Sequence, residues 1–221
     1  MSEQDSFINE VSEEVRRDRL YGLYRKYGWM AISLVVLIVA GASFNEWRKA
    51  GILADSETAG DALLAAFEEA DAEARADALA SFDPGDNASR AAVAALAEAA
   101  AMAEAGNIDG AVTILETVAV DPGAPLVYQE LAALKAVMLG SESTEPDARI
   151  ARLNGLVQTG SPFSLLALEQ MALAEIQASR VNDAIATLQE IVADAQVTQD
   201  LRQRASQLMV SLGAPQAALA E

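Results

Sequence analysis

Residues 29–47 read WMAISLVVLIVAGASFNEW, and the reading of this stretch decides the fold. Nineteen residues without formal charge separate Lys26 from Glu46, close to the roughly 20 apolar residues that carry a helix across a bilayer. Both ends are aromatic: Tyr24, Tyr27 and Trp29 on one side, Phe44 and Trp47 on the other, where amphipathic rings favour the headgroup level. At ~1.5 Å per helical residue the two tryptophans stand roughly 27 Å apart, near a hydrocarbon thickness of about 30 Å. The spacing predicts a membrane helix over residues 28–47. One rival is a buried core helix. The other is a cleaved signal peptide, since Ala40 and Ala42 form an Ala-x-Ala pattern, although the long flank before the apolar run is rich in acids as well as bases.

Charge sets the expected orientation. Arg16, Arg17, Arg19, Arg25 and Lys26 precede the span and only Arg48 and Lys49 follow it closely, so the positive-inside rule predicts a cytoplasmic N-terminus and an external segment from residue 48 onward. On this orientation residues 1–27 are a cytoplasmic amphipathic segment, with Phe7, Ile8, Val11 and Val15 at helical spacing, and residues 48–221 an external domain.

The net charge of −18 belongs to that outer part, because acids and bases cancel over residues 1–50. Nucleic acid is excluded as a partner, since phosphate binding needs clustered Lys and Arg. The chain contains no Cys and no His, which removes the usual zinc ligands, the His general base and the thiol nucleophile. No acidic spacing resembles a calcium loop, and neither a Gly-rich phosphate cradle nor a Gly-x-Ser-x-Gly elbow occurs. No cofactor, no metal and no enzymatic activity are expected.

No segment alternates with the period of two that a half-buried strand requires, so the expectation is an all-α chain. Arg48 to Ala74 reads as helix, continuing the span or restarting near Asp55 or Ser56, with Leu63, Leu64 and Phe67 as its apolar face. The cluster Asp83-Pro84-Gly85-Asp86-Asn87 ends the helix that holds Leu79 and Phe82. Beyond come helices ending at Ala105, over Asp109–Ala119, over Leu126–Leu139, from Pro146 to Gln158, over Phe163–Ala178 and Asn182–Val192, and from Gln199 with Thr198 as cap.

Two of these helices repeat a pattern. Ile108, Ala111, Leu115 and Val118 recur as Val181, Ala184, Leu188 and Ile191, each 73 residues on. Half that spacing approaches the ~34-residue period of the tetratricopeptide repeat. In the preceding helices Ala99 with Met102, and Ala172 with Met171, supply a small residue and a bulky one; small side chains let paired helices approach closely. The middle unit is degenerate, with Ala148 and Leu153 only roughly at the repeat positions. The expected architecture is one transmembrane helix followed by a tetratricopeptide repeat-like stack of antiparallel helical hairpins, with an ordinary bundle as the alternative. Such arrays bind polypeptide on the face lined by the first helix of each pair. The candidate partner-binding residues there are Tyr128, Glu130, Lys135, Glu169 and Gln170; Tyr128 packing between units is the competing role. The acidic balance favours a basic or amphipathic partner.

The chain resembles the YfgM-like family, bacterial inner-membrane proteins described as ancillary subunits of the SecYEG translocon. The resemblance is carried by Phe7, Glu10-Val11 and Glu13-Glu14 before the basic cluster, by Lys26-Tyr27-Gly28 and Trp47-Arg48 at the ends of the span, and later by Leu168 to Ala174, Leu201-Arg202-Gln203-Arg204-Ala205 and Leu212-Gly213. It implies a single span, a periplasmic tetratricopeptide repeat-like domain and work beside the Sec translocon with chaperones or exported clients, and it brings no catalytic residues. A structural accessory subunit of another inner-membrane complex, for example a respiratory one, is the alternative role.

Overall fold

The computed structural model describes the backbone of residues 3–214 and the side chains of residues 25–30 and 32–214. Nine helices run through them: α1 (Glu3–Phe67), α2 (Ala72–Ala80), α3 (Ala88–Glu104), α4 (Ile108–Val120), α5 (Leu126–Leu139), α6 (Pro146–Gln158), α7 (Ser164–Gln177), α8 (Val181–Ala193) and α9 (Gln199–Ser211). The described residues contain no strand. Two compact units divide the chain, Met1–Thr58 and Ala59–Glu221. The side chains of Phe7, Ile8, Val11 and Val15 lie outside the described residues, as does that of Tyr24.

Within the first unit, α1 is the one helix among the described residues that is long and apolar enough to cross a membrane, and none of its apolar window is covered by protein. Its aliphatic residues are exposed from Ile32 to Val39, all around the helix. A core helix of a soluble domain would be mostly covered, so length, composition and exposure together define a candidate membrane span. The helix does not restart near Ser56. The Ser56 hydroxyl donates to the Ile52 carbonyl and the Thr58 hydroxyl to that of Ala54, so both are bonded back within α1 rather than capping a new helix. The real start is Asp71, whose carboxylate accepts from the Glu73 and Ala74 amides and opens α2. The apolar face near the end of α1 also differs from expectation. Ala59 and Ala66 are buried and Leu63 is partly buried, while Leu64 and Phe67 are exposed; Ala66 and Leu63 join a small cluster with Ala76 and Leu79 of α2 and Ala101 of α3.

The second unit is a stack of helices in which each packs on its neighbours in the chain. Its core is layered. Ala92, Ala99, Ala111, Leu115 and Ala132 join α3, α4 and α5; Leu134, Val137, Leu153, Leu156 and Ala167 join α5, α6 and α7; Leu168, Leu188, Ile191, Leu201 and Met209 join α7, α8 and α9. Fully burying a leucine such as Leu115 or Leu188 contributes roughly 1.5–3 kcal/mol.

Sequence caps fix the helix ends. Asn87, Asn107 and Thr198 side chains accept from the first-turn amides of α3, α4 and α9, and Pro146 occupies the first turn of α6. At the far end of α3, the Asn107 amide bonds to the Met102 carbonyl and the Gly106 amide to that of Ala103. The same pair of bonds closes α7, from Arg180 to Glu175 and from Ser179 to Ile176. Here Ser179, at φ 62°, stands where Gly106 stands at φ 85°, so the repeat extends to a left-handed turn residue.

The middle pair departs from this plan. Three residues join α3 to α4 and α7 to α8, but six join α5 to α6. That insertion shifts the register. Arg149, not Ala148, takes the position of Ala111 and Ala184, as the fourth residue of its helix; it is buried, while Ala148 is exposed. Leu153 and Leu156 then fall into line with Leu115 and Val118. Accordingly α6 packs closely on α7 and only sparsely on α5, whereas α3 with α4 and α7 with α8 pack along their length.

Candidate functional site

The five residues expected on the first-helix face divide by how they are held. Tyr128 is partly buried against the core shared by α3, α4 and α5. The Glu130 carboxylate accepts from the buried hydroxyl of Ser161 at 2.9 Å, and that hydroxyl accepts from the Phe163 amide, which ties α5 to the turn between α6 and α7. Glu169 accepts from two nitrogens of Arg204 at 2.8 and 3.0 Å, a bidentate clasp between α7 and α9. Lys135 and Gln170 are partly exposed and make no ion pair among the described residues. Three of the five side chains are therefore engaged within the stack itself.

At the ends of the apolar helix, Tyr27, Trp29, Phe44 and Trp47 are all exposed. The rings of Phe44 and Trp47 lie 6.2 Å apart and tilted by 47°, and the Lys26 ammonium sits 5.6 Å from the centre of the Tyr27 ring. Aromatic rings beside a cation are chemically suited to a headgroup layer.

Arg149 anchors a polar cluster that sequence reasoning missed. Its guanidinium donates to the Ser141 carbonyl and to the Gln177 amide oxygen, while its Nε has no partner. Burial lowers its pKa from the ordinary value. Nearby in the chain, Arg180 pairs with Asp147 at 2.7 Å. Glu175, where α3 has Met102, is buried and accepts from the Thr187 hydroxyl at 2.9 Å. Burial pushes its pKa up, opposed by the Thr187 bond, with Asp183 adding to the rise and Arg180 countering it. The signal that could have revealed the cluster was the longer α5–α6 connection, which moves the repeat register by one position onto Arg149.

The looser packing of α5 on α6 leaves a groove of about 650 Å³ between α4, α5 and α6. Thr113, Thr117 and Val120 line it from α4, Ala133, Ala136 and Val137 from α5, and Arg152 and Leu156 from α6. Glu116 lines it as well and forms an ion pair with Arg152 across the groove, between α4 and α6. Among the described residues no cluster of three or more His, Cys, Asp or Glu comes together as a metal site would require. The class these features define is an all-helical chain with one candidate membrane helix near its N-terminus and a helical stack after it. No family model, no curated protein and no solved structure matches the chain.

Proposed function

We propose that the protein is a membrane-anchored scaffold whose outer stack binds other proteins. In this reading α1 crosses the bacterial inner membrane once, with residues 1–27 cytoplasmic and residues 48–221 periplasmic. The stack is a tetratricopeptide repeat-like array of antiparallel hairpins, and the partners are components of the Sec translocon, a periplasmic chaperone or exported clients, as the resemblance to the YfgM-like family implies. One observation carries the reading. A bare apolar stretch of bilayer length within α1 precedes a stack whose repeat positions, Ala99, Ala111, Ala172 and Ala184, are all fully buried. Three-residue turns between helices that pack along their length suit antiparallel pairs. Lack of His and Cys supports binding rather than chemistry as the role.

Affinity purification of the full chain in mild detergent, followed by mass spectrometry, tests the partner. Recovery of translocon or chaperone subunits is expected; consistent recovery of a respiratory complex instead would transfer the role to an accessory subunit held by its span. A reporter active only in the periplasm, fused after Glu221, tests the topology and is expected to be active. Activity of a cytoplasmic reporter at the same point overturns it.

A further inference from the structure

We infer that the groove between α4, α5 and α6 docks a basic amphipathic helix of a partner polypeptide. The inference rests on the scaffold reading and states where that scaffold binds and what chemistry it selects. At about 650 Å³ the groove lies within the range of ligand sites, roughly 300–1,000 Å³. Its surface is more apolar than its residue names suggest. The Thr113 hydroxyl donates to the Asp109 carbonyl and the Thr117 hydroxyl to that of Thr113, so the polar ends of both threonines are engaged by their own helix. Val120, one turn further, is 78% exposed, an apolar side chain with no cover in the stack. No buried charged group lines the groove to orient a small polar ligand. A row of small apolar positions between two helices instead suits the apolar stripe of a third, as in helix-in-groove recognition.

Charge selects the partner. On the helices and loops that bound the groove, Asp109, Glu116, Asp121, Glu142, Glu145 and Asp147 are exposed acids, against the exposed Arg152 and the partly exposed Lys135. Arg152 is already paired with Glu116, and both side chains are about half exposed, at 53% and 46%. Such a pair is weak in water, so a partner's lysine exchanges for Arg152 beside Glu116 at little cost. Lysines flanking an apolar stripe thus meet Glu116 in the groove and an excess of acids on the elements that bound it.

The test uses the full chain in detergent micelles and a labelled 18-residue helical peptide of leucine and lysine, read by fluorescence anisotropy. Binding is expected, weakening as salt is raised. The pair Thr117→Arg with Val120→Arg should weaken it at least tenfold. The pair Gln203→Arg with Gln207→Arg, which adds the same charge at exposed positions of α9, should leave it within twofold. Arg152→Ala, which frees Glu116, should tighten it. If the arginine pair in the groove alters the melting curve, Thr117→Gln with Val120→Gln fills the groove without charge and carries the same expectation. Three results overturn the proposal: no binding by the wild type, equal binding of a leucine and glutamate peptide, or equal loss in the groove and α9 pairs. None of these touches the scaffold reading, which is judged by the complexes recovered from membranes.

Discussion

In the α3–α4 and α7–α8 pairs the fourth residue of the second helix is a fully buried alanine, Ala111 or Ala184; in the α5–α6 pair it is Arg149. The first two pairs pack along their length and the third is open. The contrast shows what the small residue does. Interaxial distance follows the side chains at the contact, so an alanine permits close approach, while a guanidinium must find its own hydrogen bonds and holds the helix away from its partner. Arg149 meets that need at Ser141 in the α5–α6 connection and at Gln177 of α7, and the open α5–α6 contact borders the groove.

The largest test of this contrast is to put the middle residue into a flanking pair. Ala111→Arg or Ala184→Arg places a charge with no prepared partner at a fully buried site, and several kcal/mol of destabilisation are expected against a total stability of roughly 5–15. Thermal melting by circular dichroism reads it; unchanged melting in both variants would show that the pairs tolerate opening. The reverse exchange should cost less. Arg149→Ala and Arg149→Met both remove two hydrogen bonds and leave the Ser141 carbonyl unpaired, worth about 1–3 kcal/mol, but methionine keeps most of the side-chain volume and should cost less than alanine. Equal losses in the two variants would mean that hydrogen bonding rather than volume holds α6 in place.

Smaller changes sharpen the likeness of the flanking pairs. Ser179→Gly gives the α7–α8 turn the residue found in the α3–α4 turn, and relief of a left-handed backbone at φ 62° should stabilise by roughly 1 kcal/mol. A loss instead would mean that the serine side chain supports the turn. Glu175→Gln is expected to have the smallest effect, and one that depends on pH. An acid whose pKa rises on folding binds its proton more tightly in the native state, so its contribution is most favourable below its ordinary value of 4.5 and declines as pH climbs through the raised native value. The glutamine variant, which keeps an acceptor for Thr187, should therefore match the wild type near pH 4 and melt higher at pH 7. A gain that is the same at both pH values would remove ionisation of Glu175 as its cause.

Much of the helical order was legible because its signals are local. The bounds of α5 and α6, the Thr198 cap and the break at residues 83–87 need only neighbours in the chain, and the structure reproduces them. The candidate partner-binding residues were less legible. Tyr128, Glu130 and Glu169 look like surface groups by type, yet each is held by a residue or core that the sequence does not place beside it, and the Ser161 and Arg204 partners lie some thirty residues away.

The sequence by itself determined that the chain is helical, that one stretch is apolar on every side, and that Ala111 and Ala184 stand at equivalent positions 73 residues apart. These follow from periodicity and capping, which act over one or two turns. Only the tertiary structure decided that Leu64 and Phe67 face outward, that Arg149 replaces the small residue of the middle pair, and that α4, α5 and α6 leave a groove between them. Each depends on how closely two helices approach, a distance set by side chains far apart in the chain and by the length of the connection between them.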